Sequence, residues 1–180
     1  CEFAARCRAA DTLLLIDEAF LGFTNRPSLA GTDGVVVARA LTKLFGLPGL
    51  RSGFAVATGA WAELLDRARR PWNVSVPAPA TGAFCMDRAS FVAETRERVR
   101  SERERLRTAL SERFDVAPSD APFLLLDTGD QDPDTVCTAA LDQGVALRDA
   151  TTFRGLDSHI RVAVRLPAEN DRLLEVLDES

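Results

Sequence analysis

Residues 39–54 read Arg-Ala-Leu-Thr-Lys-Leu-Phe-Gly-Leu-Pro-Gly-Leu-Arg-Ser-Gly-Phe, and Lys43 in this stretch is the only lysine of the chain. Every other member of the 22 Lys and Arg residues is an arginine. A guanidinium stays protonated, whereas a primary amine can lose its proton in a desolvated pocket and condense with a carbonyl. The alternative is a lysine that survives by chance on a solvated surface. The residues around Lys43 favour a chemical role.

Three apolar runs around this stretch predict the strands of an α/β sheet. They cover residues 11–17, 35–41 and 52–58, and a helix over 60–70 follows the third run. The first run is continuous, which is typical of a strand buried on both faces. Charged residues, Asp17 and Lys43, follow the ends of the first two runs. In open α/β sheets the ligand crevice lies outside the carboxyl ends of the strands, so we expect a site there.

The rest of the chain predicts a long helical stretch followed by a small α+β unit. Apolar residues at helical spacing predict core contacts from residue 79 to 114; they are Phe91, Val92, Val99, Leu106, Leu110 and Phe114. The tryptophans Trp61 and Trp72 are interpreted as packing residues. Beyond residue 114 we expect strands over 123–127, 145–148 and 159–165, and helices over 133–143 and 167–178.

Composition narrows the classes of function. The chain has 180 residues, is 46% hydrophobic and 27% charged, and carries a formal net charge of -5, which argues against nucleic acid as a partner. The four cysteines have no Cys-x-x-Cys spacing and the only histidine is His159, so we expect no metal site. Scattered thiols fit a reducing compartment, and the longest apolar run is too short to span a membrane. A cytoplasmic protein without a membrane partner is the expectation.

The start of the chain is also informative. It begins with Cys1, and its only methionine is Met86. We interpret the sequence as the later portion of a longer polypeptide.

Three residues around the predicted strand ends match the needs of one cofactor. Pyridoxal phosphate requires an amine for its aldehyde, a carboxylate at its ring nitrogen and a cation at its phosphate. Lys43 can supply the amine, Asp17 the carboxylate and Arg51 the cation. The interpretation assumes that the strand ends are neighbours.

At these residues the sequence resembles a known family. Two segments carry the resemblance: residues 17–23, Asp-Glu-Ala-Phe-Leu-Gly-Phe, and the stretch 39–54 quoted above. They resemble the second half of fold-type-I pyridoxal-phosphate enzymes of the class I/II aminotransferase superfamily. The resemblance is strongest to histidinol-phosphate aminotransferases and to the threonine-phosphate decarboxylases of cobalamin biosynthesis. It implies three parts: residues 1–76 from the large cofactor-binding domain, a connecting helical segment 77–114, and a small α+β domain 115–180.

The resemblance also implies roles for individual residues. Lys43 would form the Schiff base with the cofactor and move the proton, and Asp17 would pair with the pyridine nitrogen. Arg51 would bind the cofactor phosphate, with Thr42 as a possible hydroxyl donor. Phe20 would lie beside the cofactor.

Two arginines match positions that bind substrate in the family. Arg161 matches the arginine that holds the substrate carboxylate bidentately. Arg148 matches a position that helps to bind substrate groups in the decarboxylase branch, with a surface salt bridge as the alternative. Arg165 is expected to be structural, and His159 an ordinary histidine at a loop edge.

The sequence departs from the family at two positions. Ala40 stands where the family usually has a serine that contacts the cofactor phosphate. Phe20 stands where aminotransferases commonly have a tyrosine that donates to the 3'-oxygen of the cofactor, and this chain has no tyrosine.

The Phe20 departure makes decarboxylation of L-threonine O-3-phosphate to an aminopropanol phosphate the leading hypothesis. The alternative is an aminotransferase resembling those for histidinol phosphate. A truncated, inactive fragment is a third possibility, because the family's phosphate-binding turn and ring-stacking aromatic lie upstream of the resembling segment. The resemblance further implies a small phosphorylated amino acid as substrate and a homodimer for the complete protein.

Overall fold

The computed structural model describes residues 2–179, which contain seven α-helices and seven strands. The strands form two sheets. The helices are α1 (Glu2–Ala9), α2 (Leu41–Leu44), α3 (Gly59–Ala68), α4 (Pro77–Met86), α5 (Ala89–Leu110), α6 (Pro133–Asp142) and α7 (Pro167–Glu179). The strands are β1 (Leu14–Asp17), β2 (Val35–Ala40), β3 (Gly53–Val56), β4 (Asp115–Val116), β5 (Phe123–Asp127), β6 (Arg148–Asp149) and β7 (His159–Ala163). The predicted α/β class is confirmed.

The chain divides into two compact units, Cys1–Glu94 and Thr95–Ser180. The boundary falls inside α5, within the segment that the sequence predicts to connect two domains. The division into 1–76, 77–114 and 115–180 stays a prediction.

The sheet of the first unit has the strand order β1-β2-β3. β1 runs parallel to β2, with Asp17 opposite Ala38, and β3 runs antiparallel to β2, with Gly53 opposite Ala40. The central strand is buried on both faces, because Val35, Val36 and Val37 are each at most 5% exposed. Its triple-valine run is typical of such a strand.

The prediction that β1 is buried on both faces is wrong for the described residues. Leu15 is 65% exposed, whereas Leu14 and Ile16 pack on the buried cluster. That cluster consists of Ala4, Val35 and Val37. Ala4 belongs to α1, a helix that the sequence analysis did not predict. Helix α1 therefore covers one face of the sheet. On the other face Leu15 is exposed on the edge strand, although its partner Val36 on the central strand is buried.

The predicted long helix is two helices. α4 ends at Met86, the amide of Arg88 donates to the carbonyl oxygen of Cys85 at 3.1 Å, and α5 then begins at Ala89. The prediction of Phe91 as a core residue is wrong, since it is 44% exposed and its ring stacks on Phe45 at 5.8 Å between centroids. The later apolar positions are at most 7% exposed and confirm the prediction; they are Val99, Leu106, Leu110 and Phe114.

The sheet of the second unit has the order β4-β5-β7-β6, with every pair antiparallel. Alternate residues of β5 and β7 form its core, with Leu124, Leu126 and Ile160 fully buried. The prediction of a strand over 145–148 is wrong for residues 145–147. The amide of Val145 instead donates to the carbonyl oxygen of Ala140 at the end of α6, so strand pairing begins only at Arg148.

Candidate active site

The ends of β1 and β2 lie at the same edge of the first sheet, because the two strands are parallel neighbours. Asp17 is the last residue of β1, and α2 follows β2 directly at Leu41. The amide of Glu18 donates to the carbonyl oxygen of Ala38 at 2.8 Å, which extends the pairing one residue beyond Asp17. The topology therefore brings the segments that follow both strands to one place.

Lys43 and Phe20 are in contact at this edge. The Nζ of Lys43 lies 5.4 Å from the centroid of the Phe20 ring, within the range of a cation–π interaction. Lys43 is exposed and Phe20 is 36% exposed, so the amine is open to solutes. Phe20 follows Asp17 by three residues. The predicted amine and the segment with the predicted acid are thus neighbours.

The carboxylate of Asp17 is exposed and held by its own turn. Its Oδ1 accepts a hydrogen bond from the amide of Ala19 at 2.8 Å. This bond of an aspartate to the amide two residues on is an Asx turn, and it restricts the rotation of the side chain. One carboxylate oxygen is thus engaged by the turn, which restricts the direction of the other.

Arg51 has an unusual backbone for a residue with a side chain. Its φ of 49° and ψ of 39° are left-handed, a conformation that costs non-glycine residues about 1 kcal/mol or more. The end of this loop is anchored at the start of α2, because the amide of Leu41 donates to the carbonyl oxygen of Ser52 at 3.1 Å. Arg51 is exposed, and Thr42 is half-buried within α2.

Gly53 makes this anchoring possible. A Cβ at this position would lie 2.6 Å from the carbonyl oxygen of Arg39, so only glycine fits so close to β2. The loop with Arg51 is therefore held next to α2 by the strand that follows it.

In the second unit, Arg148 and Arg161 form a pair of like charges. They lie directly opposite each other on β6 and β7, so both side chains share one face of the sheet. Arg161 lies over the Phe123 ring at 5.0 Å, and Arg148 over the Phe153 ring at 5.7 Å. Within residues 2–178, no carboxylate forms an ion pair with either guanidinium.

The neighbouring acid, Asp149, forms no ion-pair contact with either arginine among the described residues. The backbone amide of Thr151 donates to Oδ1 of Asp149 at 2.8 Å, and this bond, the Thr151 hydroxyl and, to a smaller extent, the charge of Arg148 lower the pKa of Asp149. Like charges on opposite strand positions are unfavourable unless an anion lies between them. The second unit therefore presents two arginines suited to an anionic group.

Other candidates have structural surroundings. Arg165 forms an ion pair with Glu169 at 2.6 Å, as expected for a structural arginine. His159 lies opposite Asp127, and its Nδ1 is 3.5 Å from the Ser158 hydroxyl. The prediction that Trp72 is a packing residue is wrong, because it is 96% exposed and has a φ of 59°.

The sequence analysis missed the role of Glu18 and Arg39. Glu18 is 6% exposed and forms an ion pair with Arg39, at 3.4 Å between Oε2 and Nε. The signal was present, since Arg39 interrupts an otherwise apolar strand and a charge there needs a partner of opposite sign.

Among the described residues, no cluster of three or more His, Cys, Asp or Glu is arranged to hold a metal ion. The helices in the described part of the chain also include none with the length and apolar character to cross a bilayer.

Comparison with known proteins gives one family. Residues 1–177 match the family described as aminotransferase class I and II. Histidinol-phosphate aminotransferase 1 of Archaeoglobus fulgidus is 32% identical over 171 residues, which are 95% of this chain and 53% of that protein. The chain thus spans about half the length of this relative.

Two solved structures extend the likeness. The structure of L-threonine-O-3-phosphate decarboxylase from Porphyromonas gingivalis has a TM-score of 0.86 at 26% identity, over 99% of this chain and 57% of that chain. The structure of histidinol-phosphate aminotransferase from Sinorhizobium meliloti in complex with pyridoxal-5'-phosphate has a TM-score of 0.83 at 25% identity, over 98% of this chain and 52% of that chain.

Proposed function

This chain belongs to the class I and II aminotransferase family, and from that membership we propose that it carries the lysine-bearing part of a pyridoxal-phosphate enzyme. The observation that carries the proposal is the contact of Lys43 with Phe20, beside the parallel strand ends and three residues from Asp17. A solved relative that binds pyridoxal phosphate supports the choice of cofactor.

The residues at this edge fit the cofactor chemically. Lys43 offers a solvent-open amine, Asp17 an exposed carboxylate, and Arg51 an exposed guanidinium in a loop anchored beside α2. Amine, acid and cation are the three groups that the aldehyde, the ring nitrogen and the phosphate require. The donor set therefore suits pyridoxal phosphate.

When bound, pyridoxal phosphate supplies an electron sink for a carbanion at the substrate Cα. Lys43 would hold the aldehyde carbon and then carry the proton at Cα, for which an amine on a flexible stem is suited. Asp17 would keep a proton on the ring nitrogen. Arg51 would bind the phosphate, with the hydroxyl of Thr42 as a further donor, and Phe20 would lie against the cofactor.

Arg161 and Arg148 would bind the anionic groups of the substrate. Two guanidiniums on one sheet face, each over a phenylalanine ring, can engage a carboxylate and a phosphate, or one anion bidentately. This supports a small phosphorylated amino acid as substrate.

The reaction that the comparisons favour is transamination. The sequence relative at 32% identity and the cofactor-bound structure at 25% identity are both histidinol-phosphate aminotransferases. We therefore place aminotransferase activity first, ahead of the decarboxylation that the sequence analysis put first.

Decarboxylation of threonine phosphate is the second candidate. Phe20 favours it, because aminotransferases commonly have a tyrosine at this position that donates to the 3'-oxygen of the cofactor. A phenylalanine has no hydroxyl for this hydrogen bond. The decarboxylase structure at 26% identity supports this branch as well. In that reaction the arginines would bind the carboxylate of the substrate and restrict its orientation.

We propose that residues outside this chain complete the site, since the chain spans about half the length of the relative from Archaeoglobus. An inactive fragment is the outcome if those residues are essential. For the complete protein we propose a homodimer in the cytoplasm; the free thiols of Cys7, Cys85 and Cys137 fit a reducing compartment. Light scattering after size exclusion tests the dimer.

Product analysis tests the reaction. The protein is incubated with pyridoxal phosphate and either histidinol phosphate with a 2-oxo acid, or threonine phosphate, and a Lys43→Ala variant serves as the control. Amino-group transfer to the oxo acid without release of carbon dioxide supports the aminotransferase. Carbon dioxide from threonine phosphate supports the decarboxylase, and neither product from the complete protein contradicts both.

A further inference from the structure

Glu18 is a buried carboxylate between two candidate site residues, Asp17 and Phe20. The residue is 6% exposed and its side chain 4%. The candidate site does not use Glu18 directly, since its carboxylate turns into the protein while Asp17 next to it is exposed. A carboxylate buried at this place requires hydrogen-bond or ion-pair partners, and its role in the fold or the site has to be explained.

Both oxygens of Glu18 have partners. Oε1 accepts a hydrogen bond from the amide of Leu29 at 2.8 Å. Oε2 accepts one from the hydroxyl of Ser28 at 2.7 Å and lies 3.4 Å from Nε of Arg39. A buried acid with this set of donors has one defined orientation.

These partners come from two separate segments. Ser28 and Leu29 belong to the loop between β1 and β2, and Arg39 lies near the end of β2, four residues before Lys43. The main chain of Glu18 adds two more connections, from its amide to the carbonyl oxygen of Ala38 at 2.8 Å and from its carbonyl oxygen to the amide of Leu21 at 3.1 Å. Glu18 therefore fixes the turn that carries Asp17 and Phe20 against the strand that leads to Lys43.

Stability alone does not account for such a residue. A buried ion pair is often no more favourable for folding than well-packed apolar side chains of the same volume, because both charges lose their hydration. The ion pair and its hydrogen bonds instead fix the relative orientation of the segments that they join, because these bonds form in only one arrangement. Orientation of a reactive group within fractions of an ångström is what a cofactor site needs.

We infer that Glu18, through its ion pair with Arg39, is a positioning residue that sets the carboxylate of Asp17 relative to the amine of Lys43. The inference rests on the proposed function, because it concerns the same site. Glu18 itself contacts neither cofactor nor substrate in this account. It acts through the turn at residues 17–21.

The test compares Glu18→Gln, Arg39→Gln and Arg39→Lys with a matched control, Asp33→Asn. Asp33 forms an ion pair with Arg8 at 3.0 Å in the same unit, but both side chains are more than half exposed. Each purified protein is titrated with pyridoxal phosphate. The readouts are the dissociation constant, the absorbance maximum of the bound cofactor, and the amide hydrogen exchange of residues 17–24.

We expect Glu18→Gln and Arg39→Gln to weaken cofactor binding about tenfold, as lost positioning contacts behind a binding site commonly do. The absorbance maximum should also shift, because a displaced Asp17 no longer sets the charge of the ring nitrogen. Exchange at residues 17–24 should accelerate. Arg39→Lys, which keeps the charge, should restore most of the wild-type spectrum, and Asp33→Asn should match the wild type.

A merely structural role would reduce the amount of folded protein without moving the absorbance maximum of the fraction that binds. If Glu18→Gln does not fold, Arg39→Gln decides, because the Arg39 side chain is 31% exposed and Glu18 keeps its hydrogen bonds from Ser28 and Leu29 in that variant. An unchanged spectrum and affinity in folded Arg39→Gln overturn the inference. If the wild type itself binds no cofactor, the proposed function fails first, and unchanged exchange at residues 17–24 in Arg39→Gln then overturns the inference separately.

Discussion

The ammonium group of Lys43 lies 5.4 Å from the centroid of the Phe20 ring, so the only lysine of the chain is in contact with the turn that follows β1. The two residues are 23 positions apart in sequence. Parallel pairing of β1 with β2 brings them together at one sheet edge. This relationship places an amine beside the segment of Asp17, and the predictions below follow from it.

Replacement of Phe20 by tyrosine should tighten cofactor binding. The new hydroxyl can donate to the 3'-oxygen of pyridoxal phosphate, and a hydrogen bond to such an acceptor contributes about 1 kcal/mol or more, so we expect an affinity gain of about fivefold. Fluorescence titration with pyridoxal phosphate measures it. Phe20→Leu is the control without a hydroxyl and should show no gain; equal affinities of Phe20→Tyr and wild type would contradict the position assigned to Phe20.

Replacement of Ala40 by serine should strengthen the hold on the cofactor phosphate. Ala40 precedes α2 as its N-cap and has no side-chain hydrogen bond to offer. A serine hydroxyl there should improve binding of pyridoxal phosphate about fivefold, since one hydrogen bond adds about 1 kcal/mol. Pyridoxal without the phosphate is the matched ligand, and a gain of the same size for pyridoxal would show that the hydroxyl does not act on the phosphate.

Replacement of one arginine of the pair in the second unit should weaken substrate binding without lowering the thermal stability of the protein. Arg161→Gln should raise the KM for a phosphorylated amino acid at least about tenfold, because a hydrogen bond to a charged group contributes about 1.5–3 kcal/mol. The thermal midpoint should stay the same or rise slightly, since the repulsion from Arg148 is relieved. Steady-state kinetics and calorimetry measure the two effects.

Arg165→Gln is the control for that experiment, because Arg165 lies on the same chain segment but is paired with Glu169. It should leave the KM unchanged. A KM increase of equal size in both variants would mean that the segment, and not the guanidinium of Arg161, matters.

Acid should destabilise the protein in part through Glu102. Its side chain is 13% exposed and accepts hydrogen bonds from Arg105 at 2.8 Å and from the buried Asn170 at 2.7 Å, which lower the pKa of Glu102. A lowered pKa in the folded state adds stability that is present above the unfolded value of about 4.3 and is lost as the pH falls through the folded value. Glu102→Gln should therefore lower the thermal midpoint at neutral pH and flatten its decline below about pH 4.3.

Circular dichroism melts between neutral and acidic pH provide the measurement. Glu97→Gln is the matched control, because Glu97 has the same spacing to Arg100 but is largely exposed, so its ion pair is screened. Parallel pH curves of Glu102→Gln and wild type would rule out the role of Glu102.

The sequence predicted the parts of the site that depend on local pattern. Strands that end at Asp17 and just before Lys43 were legible because apolar runs stop at charged residues, and β2 is as buried as its valines predict. Helix α1 was missed, because it is short and only Ala4 is buried in it.

Features that depend on contacts distant in sequence could not be predicted. The exposure of Leu15 depends on what covers the sheet, and the network of Glu18 depends on the path of a loop ten residues downstream. The pairing of Arg148 with Arg161 depends on the register of β6, a strand that follows the turn at Gly144 and Val145 after α6. Spacing along the chain carries no record of such contacts.

Reduction of the protein with borohydride in the presence of pyridoxal phosphate, followed by peptide mass mapping, tests the central claim most directly. We expect a pyridoxyl group on the peptide that contains Lys43, in near-stoichiometric yield, and its loss in Lys43→Arg. Within these 180 residues Lys43 is the only lysine, so a protein of this sequence alone has only its α-amino group as another primary amine. A label confined to the α-amino group, or equal labelling of Lys43→Arg and wild type, would contradict the account.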